Sequence, residues 1–290
     1  MPRAAAGLAV LALAVAFAWA DVALAQAHGG RWLGGVAGDP RLTETLFSLA
    51  VFAPLIVAGL VGGAVERRNA ATPGRRPGAA LLVGLTTGAA GLGVAVLLAR
   101  LAGVLADGPA GPPRALLWGA GVIALQVVAE EIYFRGWLQP ALMRRWGWWP
   151  GLIAGAVAFA ALHVAGGARA PVSLVNLFLG GLMFGLFAAR GGGIAAAAGA
   201  HWAWNGAEQL VWGLDPNPGV GPFGSLLDKE LVGRALWGGS GDGLNGGVGM
   251  TVALLAILLP LLTAGRRAPA GPRVRTLDPP DARLSGRVPS

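Results

Sequence analysis

The sequence has no cysteine, which excludes a thiol nucleophile, a disulfide framework and a thiolate metal site together. Charge is also scarce. Asp, Glu, Lys and Arg make up 12% of the residues, against about 25% in a soluble protein, so water is not the main solvent of this chain. Only three histidines occur. Neither His163, followed by Val164, nor His201, followed by Trp202, opens the His-Glu-x-x-His pattern of a zinc-binding helix. No repeat of about 20 to 50 residues, no coiled-coil heptad and no soluble domain is visible. The net charge of +8 does not point to nucleic acid. The arginines stand at the ends of apolar runs and in the C-terminal tail, not on a basic face with interleaved aromatics.

What is plentiful is apolar. Hydrophobic residues make up 55% of the chain, gathered in stretches near the roughly 20 residues that carry a helix across a bilayer. The first covers Ala4 to Ala20 within a segment 1–26. It is read as a retained span in preference to a signal peptide cut after Ala23-Leu24-Ala25. Further spans are predicted at Thr45 to Val65, Ala79 to Leu105, Arg114 to Arg145, Trp149 to Ala165, Val172 to Ala189, Ile194 to Leu214 and Val248 to Ala264. The expected fold is therefore all-α, a polytopic membrane bundle of about eight helices. Its main domain covers 45–264, and a basic, disordered tail follows at 265–290. The pairs Arg67-Arg68, Arg75-Arg76 and Arg144-Arg145 mark one side as cytoplasmic, with both termini on it. The joint Asp107 to Pro113 and the polar loop from Asp215 to Gly247 fall on the other side, the loop with a short amphipathic helix around Leu226 to Leu236. His28 falls in an outer loop.

Ionisable groups inside such spans are costly and mark function by default. They are few: Glu130, Glu131, Arg135, His163, His201 and Glu208, with Gln126 and Asn205 as uncharged company. At 1.5 Å per helical residue, Glu130 lies about 21 Å from Arg144, His163 about 21 Å from Trp149 and His201 about 16 Å from Arg190. Three helices thus bring polar groups to one layer. Glu131 and Arg135 are four residues apart, as are Phe159 and His163, and His201 and Asn205, so each pair shares a helix face. Glu130 points about 100° away from Glu131, so one acid can face a cavity while the other pairs with Arg135. Glu208 is placed at the interface, near the outer end of its helix, and Phe159 reads as plain core.

A carboxylate, two imidazoles and a carboxamide in a dry cavity suit amide hydrolysis without a covalent intermediate. Glu130 can take a proton from water, and His163 can hold that water or share the proton. His201 and Asn205 can donate hydrogen bonds to the oxyanion. Gly239-Ser240-Gly241-Asp242 imitates short serine- and aspartate-protease patterns. It lies in a polar loop, with no second aspartate inside a span to complete a pair.

Three strings in order, Glu130-Glu131-Ile132-Tyr133-Phe134-Arg135, Phe159-Ala160-Ala161-Leu162-His163 and His201-Trp202-Ala203-Trp204-Asn205, resemble the motifs of the CAAX-protease and bacteriocin-processing family of intramembrane endopeptidases. The likeness covers about Ala115 to Glu208, including the glycine-rich span Leu177 to Gly185. It implies that Glu130 activates water with His163, that His201 and Asn205 form the oxyanion site, and that Glu131 and Arg135 brace the helix. It implies a peptide or protein substrate reaching the bilayer. The expected mechanism needs no cofactor; zinc on Glu130, His163 and His201 is the alternative. A non-hydrolytic membrane protein, such as an immunity factor, scaffold or transporter subunit, is the competing function. Ala, Gly and Arg richness with the single lysine Lys229 points to a GC-rich bacterial genome and hence a bacterial plasma membrane.

Overall fold

A computed structural model describes residues 2–33, 38–109 and 115–264. The tail expected at 265–290 and part of the joint expected from Asp107 to Pro113 lie outside them. Helices α1 (Arg3–Leu33), α2 (Pro40–Val65) and α3 (Pro77–Leu101) precede the long span formed by α4 (Leu116–Glu130), a π-helical stretch Glu131–Leu138 and α5 (Gln139–Trp146). Then come α6 (Trp148–Ala165), α7 (Pro171–Gly191), α8 (Ala195–Gly206) with a second π-helical stretch Ala207–Trp212, and α9 (Val248–Ala264). Each expected span contains a helix, although the third ends at Leu101 and the seventh at Trp212, with Leu105 and Leu214 in strands. Among the described residues six helices are long and apolar enough to cross a membrane, and Val248–Thr263 forms a shorter apolar helix. The chain is a polytopic helical membrane bundle. Its outward surface agrees, with Leu13, Val61, Leu82 and Leu117 all exposed, as expected where lipid rather than water covers the protein.

Local chemistry sets the helix ends. Pro40, Pro77 and Pro171 sit in the first turns of α2, α3 and α7, where a missing N–H costs nothing. The Asp39 side chain accepts from the Arg41 N–H, satisfying a first-turn donor. Gly147, at φ 94°, makes the turn between α5 and α6 that a Cβ would strain. The first N–H groups of α8 are met from outside the helix, since Ile194 and Ala195 donate to the carbonyls of Thr72 and Pro73. At the arginine-rich end, Glu66 accepts from Arg144 and, at 2.6 Å, from Arg145. These bonds, Arg145 first, hold the Glu66 carboxyl below the usual carboxylate range, so the clasp between α2 and α5 remains ionised at neutral pH.

α1 belongs to the bundle: the Tyr133 hydroxyl donates to the Ala14 carbonyl at 2.7 Å, and α1 packs on α2, α5 and α6. It runs on to Leu33, which places His28 in the helix rather than in a loop. α3 and α8 meet backbone to backbone. A Cβ on Gly84 would lie 2.1 Å from the Ala196 carbonyl oxygen, and one on Gly88 2.2 Å from that of Ala200. Small residues allow this approach, a common route to helix association in lipid. Gly88→Ala is expected to cost about 1–3 kcal/mol, read as a lower unfolding temperature in detergent. An unchanged midpoint would show that α3 and α8 do not touch.

The helix expected around Leu226 to Leu236 is absent. Lys229–Leu231 is instead the central strand of a three-stranded sheet, and Ala235–Trp237 is a single 3-10 turn. The strand pairs antiparallel with Leu105–Asp107, Ala106 opposite Glu230, and parallel with Leu214–Asp215. The sheet ties the end of α3 to the loops beyond α8, forming a roof over that end of the bundle. Two side chains fasten the roof through four more bonds: the Asn176 amide donates to the carbonyls of Asn245 and Gly247, and Asp242 accepts from the N–H groups of Arg169 and Ala170.

Candidate functional site

The two acids stand where the long span changes its winding. Gln139 donates to Phe134, five residues back, and the next residue, Pro140, has no N–H with which to resume the bonding at Gly136. The wider turn begins at Glu131. π-Helical insertions are rare and concentrate at functional sites. A second follows Gly206, immediately after the helix that carries His201 and Asn205.

Glu130, Glu131, Arg135 and His201 are between 0% and 4% exposed. Glu131 Oε1 accepts from Arg135 at 3.2 Å and meets His201 Nδ1 at 2.9 Å. The pairing with Arg135 agrees with the four-residue spacing; the grip on His201 was not visible in it. A carboxylate can only accept, so Nδ1 carries a proton and His201 Nε2 is left to face the other acid, 3.9 Å from Glu130 Oε2. Among the described residues, neither Glu130 Oε2 nor Glu131 Oε2, both buried, has a hydrogen-bond partner. Among buried carboxylates such an oxygen is expensive, and it marks a position where a substrate group or water is wanted.

Aromatic rings hold the cluster. Phe184 stacks on His201 at 4.5 Å between centroids, and the Arg135 guanidinium lies 4.2 Å from the Phe159 ring centre, a cation–π contact. Phe159 also fixes His163: its carbonyl lies 2.9 Å from Nδ1, so Nδ1 donates and Nε2 is the free nitrogen. Phe159 is therefore more than core, which its spacing from His163 alone did not show. α7 comes close through its glycines, with Gln139 donating to the Gly185 carbonyl at 3.0 Å and Arg135 to that of Gly181 at 3.4 Å.

Two adjoining cavities open on this cluster. The larger, about 550 Å³, is lined by His163, His201, Asn205 and Glu208. The second, about 420 Å³, is lined by Glu130, His163 and Glu44. Gln126, His163, Gln209 and Asn217 belong to both walls. Glu130 and Asn205 thus face different cavities across a shared partition, with His163 in it. Glu208, placed at the interface by its sequence position, is 4% exposed and lines the larger cavity beneath the roof. The roof residues Pro216, Asn217 and Asp242 also line it, a contribution that no intramembrane pattern in the sequence signals.

Among the described residues no three His, Asp or Glu side chains converge closely enough to hold a metal ion, and His201 Nδ1 is engaged by Glu131.

Compared with known families, residues 112–207 match the model described as type II CAAX prenyl endopeptidase Rce1-like. Neither the curated proteins nor the solved structures provide a match to the chain.

Proposed function

Because this chain carries an Rce1-like domain of the CAAX-protease family, we propose that it is an intramembrane endopeptidase in which Glu130 activates water for attack on a peptide carbonyl. The observation that supports this most is the buried cluster itself: Glu130 with an unpartnered oxygen, 3.9 Å from the outward nitrogen of His201. Water held between Glu130 and His163 Nε2 gives its proton to Glu130 as its oxygen bonds to the carbonyl carbon. The carbonyl electrons move to oxygen, and the oxyanion accepts hydrogen bonds from His201 and Asn205, whose low-dielectric setting strengthens them. Glu130 then returns the proton to the amide nitrogen as the C–N bond breaks, releasing an amine and a carboxylic acid.

His201 donates to Glu131 through Nδ1, so donation from Nε2 as well requires the imidazolium. Glu131 and Arg135 position His201 and do not touch the substrate. The arginine-rich end is the cytoplasmic one, with both termini on that side, and the substrate is a peptide or protein segment that reaches the bilayer.

Purified protein in detergent, given a fluorogenic peptide, tests this reading. Asn205→Ala is expected to lower kcat about 100- to 1000-fold with little change in KM, the signature of a lost oxyanion donor. Chelators are expected to leave the rate unchanged. Loss of activity to a chelator, restored by zinc, would overturn the glutamate mechanism; a rise in KM alone would move Asn205 to ground-state binding.

A further inference from the structure

His201, Asn205 and Glu208 follow at intervals of four and three residues, and all three line the larger cavity. The proposed chemistry uses the first two and leaves Glu208 without a task. Glu208 is nevertheless the stranger residue. Its Oε1 is buried and has no hydrogen-bond partner among the described residues. Among the described residues, the lining of the two cavities includes Glu44, Glu130, Glu208 and Asp242 but neither lysine nor arginine, although the chain as a whole carries +8. Asp242 is partly occupied by the N–H groups of Arg169 and Ala170. The neighbouring Asn176 has both ends of its amide engaged, by Asn245, Gly247 and Thr251. Glu208 is therefore an open acidic acceptor on this wall.

We propose that Glu208 is a specificity residue that receives a cationic side chain, Lys or Arg, of the peptide to be cut. This rests on the endopeptidase reading of the same site. A lone carboxylate buried at this depth is costly until a cation or donor reaches it, and a charge-assisted hydrogen bond is the strong kind that repays desolvation of both partners. Position sets the register. Seven helical residues separate His201 from Glu208, a rise of about 10 Å, which an extended peptide covers in about three residues. The cationic side chain therefore lies about three residues from the bond that breaks.

Peptide sets carrying Arg, Gln or Glu at the third residue on either side of a scissile bond, with cleavage sites mapped by mass spectrometry, provide the test. Wild-type protein is expected to cut the Arg peptide of one set with about tenfold higher kcat/KM than its Gln counterpart and to disfavour Glu. In Glu208→Gln the Arg-to-Gln ratio falls to about one, and in Glu208→Arg the Glu peptide becomes the preferred one. Reading ratios within each variant removes the effect of altered folding yield. The same peptides are also titrated by fluorescence anisotropy against Glu130→Gln protein, with and without Glu208→Gln, so that the preference is measured without turnover. An Arg preference in binding that vanishes with Glu208→Gln supports the inference even if no peptide is cut, an outcome that would remove only the peptidase reading. An Arg preference that survives Glu208→Gln, or equal binding and cleavage of Arg and Gln peptides by protein with intact Glu208, overturns it.

Discussion

Glu130→Gln is expected to lower kcat about 100- to 10,000-fold, the range for a lost general base, while the unfolding temperature in detergent stays level or rises. The two halves of this result have one cause. Glu130 Oε2 is buried with no partner, so the carboxylate is held at a cost in stability that an amide of the same shape reduces. Catalytic groups often carry such a cost. Glu131→Gln is expected to be slow as well, because His201 loses the acceptor that orients it, but this variant melts earlier, because Arg135 loses its partner too. Opposite shifts in melting temperature at adjacent residues thus separate the base from the brace. If Glu130→Gln retained activity within tenfold of wild type, the base would have to be sought elsewhere; if it melted as early as Glu131→Gln, Glu130 would be a structural acid.

Arg135→Met should destabilise the protein by about 3–5 kcal/mol, the usual cost of leaving one member of a buried ion pair without the other. Its guanidinium lies among Phe134, Phe159 and Phe184, which no water can replace, and Glu131 would be left with His201 alone. The double variant Glu131→Gln/Arg135→Met should be more stable than Arg135→Met, since it buries no orphaned charge, and should still be inactive. Chemical or thermal unfolding of the four proteins closes this cycle. A double variant no more stable than Arg135→Met would mean that aromatic packing, not charge pairing, is what Arg135 contributes.

Much of this architecture can be read from the sequence because two signals agree: apolar runs of membrane length and arginines at alternate ends. Both survive tilt and boundary error, and the depth they imply puts Glu130, His163 and His201 in one layer. The pairing of Glu131 with Arg135 follows from spacing. What spacing misses is whatever departs from a 3.6-residue period. Assuming that period, Glu131 turns away from Glu130 and serves Arg135 alone; in the structure the π-helical winding from Glu131 to Leu138 lets it hold His201 as well. The sheet escapes notice because its strands have two or three residues, too few for an alternating pattern. Glu208 is misplaced for a related reason: hydropathy sees its helix ending, but not the folded loop that covers it.

The π-helical stretch from Glu131 to Leu138 also has a mechanical consequence. Above it, α4 packs against α2 and α8; below it, α5 packs against α1 and α6. The extra residue acts as a phase shifter, letting one continuous span keep two different sets of neighbours in step. Removing a single residue from it would turn the lower half against the upper by about 100° and throw one of the two interfaces out of register. A change in the length of this span would break one interface or the other, and the acids sit at the seam where that restriction is tightest.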